Sequence, residues 1–174
     1  IINMARLIIR NIGPIKNVDI ELNKVNVFIG EQSSGKSTIA KIVSFCLWLE
    51  KTVNKDDVFF GEGKEAYRRL QTYHHIQSYF REDSVICYLG ENLAYAYNWP
   101  AEEPMPYPGW EIVDSQHFSE KEFFLYPASK VVNPKVIYIP AERNFVSVVP
   151  NLQKYAENED NLLDFVLSWQ EARK

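Results

Sequence analysis

Apolar and polar residues alternate near the start of the chain, and from residue 36 onward the spacing becomes helical. In 5–22, ARLIIRNIGPIKNVDIEL, two apolar runs lie on either side of a turn at Asn11–Gly13–Pro14, which predicts two strands. Residues 25–29, VNVFI, are mostly β-branched and aromatic, and this composition predicts a short buried strand of a parallel sheet. The helix predicted after residue 35 has one apolar face, formed by Ile39, Ile42, Val43, Cys46 and Leu49.

The rest of the chain predicts a helical region, a hairpin, a loop and a second helical region. Residues 56–80 are expected to be helical after a break at Gly61 and Gly63. SVICYLG (84–90) and LAYAYNW (93–99) predict two strands, because the connection between them has the length of a hairpin loop. The proline-rich stretch 99–110 predicts an extended surface loop. Further on, the pattern predicts a buried strand over Val136–Ile139 and a helix over 151–174.

Length, composition and charge exclude several classes of protein. At 174 residues and 46% apolar content, the chain has the size of one domain and is not generally disordered. No apolar run approaches the roughly 20 residues that span a bilayer, so no membrane partner is expected. The net charge of −4 does not indicate the basic surface that is typical of proteins that bind nucleic acid.

The cysteines and histidines add little chemistry. Cys46 and Cys87 lie in apolar segments and are expected to be buried reduced thiols, and the N-terminus lacks the apolar core of a signal peptide, so a cytoplasmic protein is expected. His74 and His75 are adjacent, so on a helix they point about 100° apart and cannot share a metal ion. His117 stands alone, and no metal-binding or catalytic-triad spacing is present.

The stretch VFIGEQSSGKSTIAKI (27–42) carries the candidate chemistry. It fits the pattern G-x-x-x-x-G-K-[ST] of the phosphate-binding loop, and the predicted strand before it and helix after it are the context that this loop needs. Backbone N–H groups at the helix N-terminus would surround phosphate oxygens, and the helix dipole favours negative charge there. The sequence therefore predicts a site for a nucleoside triphosphate, ATP with Mg²⁺, formed by Gly30, Glu31, Gln32, Ser33, Ser34, Gly35, Lys36, Ser37 and Thr38.

Each residue type has an expected role in this loop. The glycines allow tight turns and close approach of the backbone to oxygen atoms. Lys36 is expected to reach the β- and γ-phosphates, the Ser37 hydroxyl to be a Mg²⁺ ligand, and Thr38 to face the α-phosphate. The alternative is a strand-to-helix turn rich in glycine and serine that binds no ligand.

The segment LIIRNIGPIKNVDIELNKVNVFIGEQSSGKSTIAKI resembles the opening of RecF/SMC-like ABC-type ATPases, including OLD-family and related bacterial AAA ATPases. VIYIPAERNF (136–145) looks like the segment that closes their antiparallel β-subdomain. The resemblance implies an α/β fold of the P-loop NTPase class, an ABC-ATPase-like N-terminal lobe with an antiparallel β-subdomain and a helical insertion. Within a single lobe 1–174, it implies strands, loop and first helix in 5–50, a helical region in 51–83, the β-subdomain in 84–140 and the start of a helical subdomain in 151–174.

The chain also departs from these families. Gln32 stands where they usually have Asn, and Ala141, Glu142 and Arg143 stand near the position of the Q-loop glutamine. No Walker B run and no Ser-Gly-Gly-type signature is found in the sequence. We therefore expect the N-terminal lobe of a longer ATPase that works as a homodimer, binding ATP alone but hydrolysing it negligibly. The resemblance implies a role in DNA repair or phage defence, although no residue of the chain demonstrates DNA binding.

The strand ending at Pro140 suggests a second group of site residues. Proline stops the ladder of hydrogen bonds, so the residues after it can point away from the sheet edge. We expect Glu142, and with less support Arg143, to lie near the Mg²⁺ ion and the γ-phosphate as catalytic residues. A structural ion pair at a strand end is an equally good interpretation of these two residues.

Two other functions remain open. A P-loop kinase of small molecules would normally begin directly with the strand before the loop, whereas here a strand pair precedes it. A non-catalytic nucleotide-gated module or a transporter ATPase is the second alternative. Transporter ATPases usually offer an upstream aromatic residue to stack on adenine, and residues 5–24 contain no Tyr, Phe or Trp.

Overall fold

One antiparallel sheet dominates the computed structural model, which describes residues 5–53, 66–91, 93–104, 106, 114–119 and 121–126. Within this described part six strands pair in the order β2-β1-β3-β4-β6-β5, and each pair is antiparallel. The strands are β1 (Ala5–Ile12), β2 (Ile15–Leu22), β3 (Val85–Leu89), β4 (Ala94–Tyr97), β5 (Asp114–Ser119) and β6 (Glu122–Tyr126). The helices are α1 (Lys36–Val53), α2 (Ala66–Tyr73) and a short 3-10 helix at Gln77–Tyr79.

The predicted strand pair at the start of the chain is confirmed. β1 and β2 form a hairpin in which Leu7 faces Ile20 and Ile12 faces Ile15. The turn between them needs positive φ angles, which Asn11 and Gly13 adopt at 54° each. Among the described strands β2 is at an edge of the sheet, and its side chains are accordingly more exposed than those of β1, which is buried at Leu7 and Ile12.

The second predicted hairpin is also confirmed. β3 and β4 pair with Tyr88 facing Tyr95, and a hydrogen bond of 2.8 Å from the Gly90 N–H to the Leu93 carbonyl closes their connection. β4 is buried along its whole length, because it lies between β3 and β6 in the interior of the sheet.

Helix α1 covers one face of the sheet and confirms the predicted amphipathic helix. The face that packs inward is buried to 4% exposure or less at Ile42, Phe45, Cys46 and Leu49. These side chains form one core with the β1 residues Leu7 and Ile9 and with aromatic side chains of the central strands, Tyr88, Tyr95 and Tyr97. Burial of this continuous apolar surface is the main stabilising contribution that fixes the start of α1 relative to the sheet.

The predicted buried strand at 25–29 is not found in the structure. Residues 25–30 have no regular secondary structure, and the side chains of Val25, Val27 and Ile29 are 79%, 76% and 92% exposed. The Asn26 side chain bridges the N–H and the carbonyl of Asn23, so the chain makes a local turn after β2 instead of continuing along the sheet. A strand needs a partner for its backbone groups, and within the described residues this segment pairs with none.

The predicted helix over 56–80 is confirmed only in part. Residues 66–73 form α2, but the helix ends before His75, whose φ of 51° does not continue an α-helix, and a 3-10 turn follows. Residues 54–65 lie outside the described part of the chain.

The described part of the proline-rich loop makes a turn close to the sheet. The Glu103 N–H donates to the Pro100 carbonyl at 3.1 Å, and Arg10 of β1 donates to both carboxylate oxygens of Glu103 at 2.8 Å. The Arg10 guanidinium also lies 5.0 Å from the centre of the Trp99 ring. This end of the loop is therefore fixed to the sheet.

An antiparallel sheet covered by helices fits the predicted α/β class. The predicted strand Val136–Ile139, the segment 141–143 and the helical region 151–174 lie outside the described residues. None of the helices in the described part has the length and apolar character needed to cross a bilayer.

Candidate functional site

The loop of residues 30–35 leads directly into the first turn of α1. Its conformation depends on two residues with positive φ, Ser33 at 62° and Gly35 at 97°. A Cβ atom at Gly35 would also lie only 2.8 Å from Ile15 Cγ1 and 3.3 Å from Pro14 Cγ. Glycine is therefore required at residue 35 for its backbone angle and for its contact with the β1–β2 turn.

Lys36 folds back over this loop. Its Nζ donates to the Gly30 carbonyl at 2.8 Å, to the Glu31 carbonyl and to the Ser34 hydroxyl at 3.3 Å. An ammonium group has three protons to donate, and the loop oxygens can accept all of them. The positive charge is therefore held at the centre of the loop, where anionic oxygens from a ligand can replace the neutral loop acceptors.

The N-terminus of α1 adds to the positive potential at the same place. The first bond of the helix runs from the Ile39 N–H to the Gly35 carbonyl at 2.9 Å. The N–H groups of the preceding residues belong to the first turn, which has no acceptor within the helix and carries the positive end of the helix dipole. The loop, the lysine and the helix N-terminus together can bind a phosphate group.

The two hydroxyl residues at the start of α1 differ in accessibility. Ser37 is exposed, as a residue that would bind a metal ion from solvent must be. Thr38 is 2% exposed, so in this conformation it belongs to the packed base of the helix. The predicted contact of Thr38 with an α-phosphate stays a prediction.

The structure places all nine predicted loop residues, 30–38, in one continuous turn and helix start. Glu142 and Arg143, the two candidate catalytic residues, lie outside the described part of the chain. Their proximity to the loop stays a prediction.

A contact that sequence reasoning missed lies beneath the loop. Pro14 and Ile15 of the β1–β2 turn lie against Gly35, and the Tyr79 ring lies against Gly13 of the same turn. The Gly13 N–H donates to the Tyr79 carbonyl at 2.9 Å, and Arg81 donates to the Gly13 carbonyl at 3.0 Å. The absence of side chains at Gly13 and Gly35 was a signal for close approach, but it did not identify the partners.

Buried ionisable groups lie elsewhere, in the core. The Glu50 carboxylate accepts a 2.7 Å hydrogen bond from the Tyr88 hydroxyl, and burial together with this carboxylate raises the pKa of Tyr88 well above its usual value. Burial also raises the pKa of the Cys46 thiol, which forms no disulfide. Among the described residues no group of three or more His, Cys, Asp or Glu side chains is arranged to hold a metal ion. These groups lie in the core, away from the loop 30–38.

Comparison with known families identifies the chain. The sequence profile of a family described as AAA domain matches residues 6–163. The chain belongs to this AAA domain family. No curated protein and no solved structure gives a significant match.

Membership agrees with the geometry of the loop. An AAA domain indicates a nucleotide-binding function of the ATPase type, typically with Mg²⁺. The matched range includes the loop 30–38 and the strands and helix that support it.

Proposed function

We propose that this AAA domain binds ATP with Mg²⁺ through residues 30–38. The observation that carries the proposal is the position of Lys36, whose ammonium group lies within a ring of loop oxygens at the N-terminus of α1. On binding, the β- and γ-phosphates replace the carbonyls as acceptors of Lys36, and the exposed Ser37 hydroxyl is a ligand of Mg²⁺.

A finer assignment follows from the elements around the loop. The antiparallel pair β1–β2 precedes the loop and the hairpin β3–β4 follows α1, an arrangement that supports a RecF/SMC/OLD-like ABC-type ATPase over a small-molecule kinase. We extend the proposal to hydrolysis that requires a second subunit in a homodimer and Walker B and signature motifs, with Glu142 and Arg143 near the γ-phosphate. A role on DNA, in repair or phage defence, rests on the family resemblance alone.

Calorimetric titration with ATP tests the binding site. Lys36→Ala removes the charge that holds the phosphates, and we expect the affinity for Mg–ATP to fall by about 30- to 150-fold, equivalent to about 2–3 kcal/mol for charge-assisted hydrogen bonds. Lys24→Ala is the matched control, because it removes the same charge from an exposed lysine that lies outside the loop. Equal affinities of Lys36→Ala and Lys24→Ala would contradict the proposal.

Phosphate release by the same samples tests the proposal that hydrolysis requires a second subunit and further motifs. We expect negligible phosphate release at saturating ATP, because binding at the loop stabilises the ground state and the transition state alike. Rapid turnover that Glu142→Gln abolishes would instead assign a complete active site to this chain.

A further inference from the structure

We propose that Tyr79 is the stacking surface for the base of the bound nucleotide. The inference rests on the proposed function, since it concerns the base of a nucleotide whose phosphates lie in the loop 30–38. Residues 5–24 offer no aromatic residue for this role, because they contain no Tyr, Phe or Trp. The fold supplies an aromatic ring from a distant part of the chain.

The Tyr79 ring lies directly on the β1–β2 turn. A Cβ atom at Gly13 would lie 2.5 to 3.0 Å from three carbons of the ring, so the ring occupies the space that a side chain would take. The φ of Gly13 is positive at 54°, so the turn conformation itself also favours glycine. The ring can therefore approach the turn backbone closely.

The same turn also touches the phosphate-binding loop. Ile15 Cγ1 and Pro14 Cγ lie 2.8 and 3.3 Å from the position of a Cβ atom at Gly35. Gly13 and Ile15 are two residues apart, and two peptide units span at most about 7 Å. The ring and the loop thus contact the same short turn, at residues no more than about 7 Å apart along the chain.

Tyr79 keeps part of its ring accessible. It is 37% exposed, and among the large apolar side chains that are exposed in the described part of the chain it is the aromatic one. An aromatic ring that is partly accessible can stack on a base, which offers a π-face whatever its identity.

The segment that carries Tyr79 is fixed in place before any ligand arrives. Besides the bonds that Tyr79 and Arg81 make with Gly13, the Ser84 hydroxyl accepts from the Arg81 N–H at 2.7 Å and donates to the Asn11 carbonyl at 2.5 Å. A ring held in this way loses little further conformational freedom on stacking, so more of the contact energy is expressed as affinity.

The test compares a ligand with a base and a ligand without one. Wild type, Tyr79→Ala and Tyr79→Phe are titrated with Mg–ATP and with magnesium tripolyphosphate, which has the phosphates alone. Stacking of one base on an aromatic ring predicts that Tyr79→Ala weakens Mg–ATP by at least about fivefold. Tyr79→Phe keeps the ring and retains the affinity, and all three proteins bind tripolyphosphate equally. Leu47→Ala, which truncates a similarly exposed side chain (38%) on α1, leaves both affinities unchanged.

The other outcomes overturn the proposal in distinguishable ways. If Tyr79→Ala binds Mg–ATP as wild type does, Tyr79 does not contact the base. If Mg–ATP and tripolyphosphate weaken equally, Tyr79 supports the loop through the turn and does not stack. If wild type binds neither ligand, the proposed function itself is wrong.

Discussion

At the scale of single residues, His74 shows how burial changes the chemistry of a side chain. It is 2% exposed at the end of α2, where its carbonyl accepts a 3.0 Å hydrogen bond from Lys41 of α1 and its ring contacts Tyr73 edge to face. Burial, and then the charges of Lys41 and His75, lower the pKa of His74 from 6.5 to about 3. The imidazole is therefore neutral in the folded protein at any pH well above 3.

This lowered pKa makes the stability of the protein sensitive to mild acid. Between pH 6.5 and pH 3 the unfolded chain binds a proton at His74 that the folded protein does not bind, so the free energy of unfolding decreases as the pH falls. From pH 7 to pH 5 we expect a loss of about 2 kcal/mol from this residue, since each pH unit below 6.5 corresponds to about 1.4 kcal/mol.

Urea unfolding at pH 7 and pH 5 measures this loss. His74→Gln should reduce the difference between the two pH values, whatever its effect on stability at pH 7. His75→Gln is the comparison variant: it removes an exposed neighbouring imidazole whose charge is the smallest of the three causes of the lowered pKa, so most of the pH dependence should remain. A pH dependence that is unchanged in His74→Gln would contradict the buried neutral state.

At the scale of elements, one carboxylate joins a strand to a helix. Glu122, at the start of β6, is 1% exposed and accepts hydrogen bonds from the N–H groups of Ala66 (3.0 Å) and Tyr67 (2.8 Å) at the N-terminus of α2. It also accepts from the Tyr95 hydroxyl at 2.8 Å, and burial followed by this carboxylate raises the pKa of Tyr95 well above its usual value. A charge at the helix N-terminus interacts favourably with the helix dipole, so Glu122 fixes α2 against the sheet.

Glu122→Gln keeps the size of this side chain but replaces one acceptor oxygen with a donor. We expect the free energy of unfolding to fall by about 1–3 kcal/mol, because at least one of the buried donors loses its acceptor. Chemical denaturation gives the value, with Glu102→Gln in an exposed turn as the control. Equal stability of the two variants would show that the capping bonds contribute nothing.

At the scale of the whole molecule, the apolar side chains fall into two groups. One group forms the core between α1 and the sheet, and it includes Ile9 at 0% exposure. The other follows the extended segment before the loop, where Ile29 is 92% exposed. These two residues have the same side chain in opposite environments, so they are a matched pair for measuring where the core ends.

Truncation of each isoleucine measures the difference. Ile9→Ala should lower the free energy of unfolding by about 2–5 kcal/mol, since it removes buried methylene groups and leaves a cavity. Ile29→Ala should change it by less than about 0.5 kcal/mol, as is usual for an exposed position. Thermal or urea unfolding of the two variants compares them, and a large loss in Ile29→Ala would show that the segment is buried in solution.

Local features of the fold were predictable from the sequence because their causes lie within a few residues. The turn between β1 and β2 depends on Gly13 and its neighbours, and the apolar spacing of α1 follows from 3.6 residues per turn. The loop 30–35 also follows from local chemistry, since a glycine before Lys36 allows the positive φ that brings the chain into the helix. The phosphate-binding pattern and the helix that follows it are therefore properties of the sequence.

Only the tertiary structure decided which distant groups meet. The stretch 25–29 has the composition of a buried strand, but burial also needs a partner, and composition does not determine where that partner lies. Likewise, nothing in the local sequence places Tyr79 on Gly13 or Glu122 on the first turn of α2. Such contacts result from packing α1 and the strands around one core, in which many side chains contribute together, so no short segment encodes them alone.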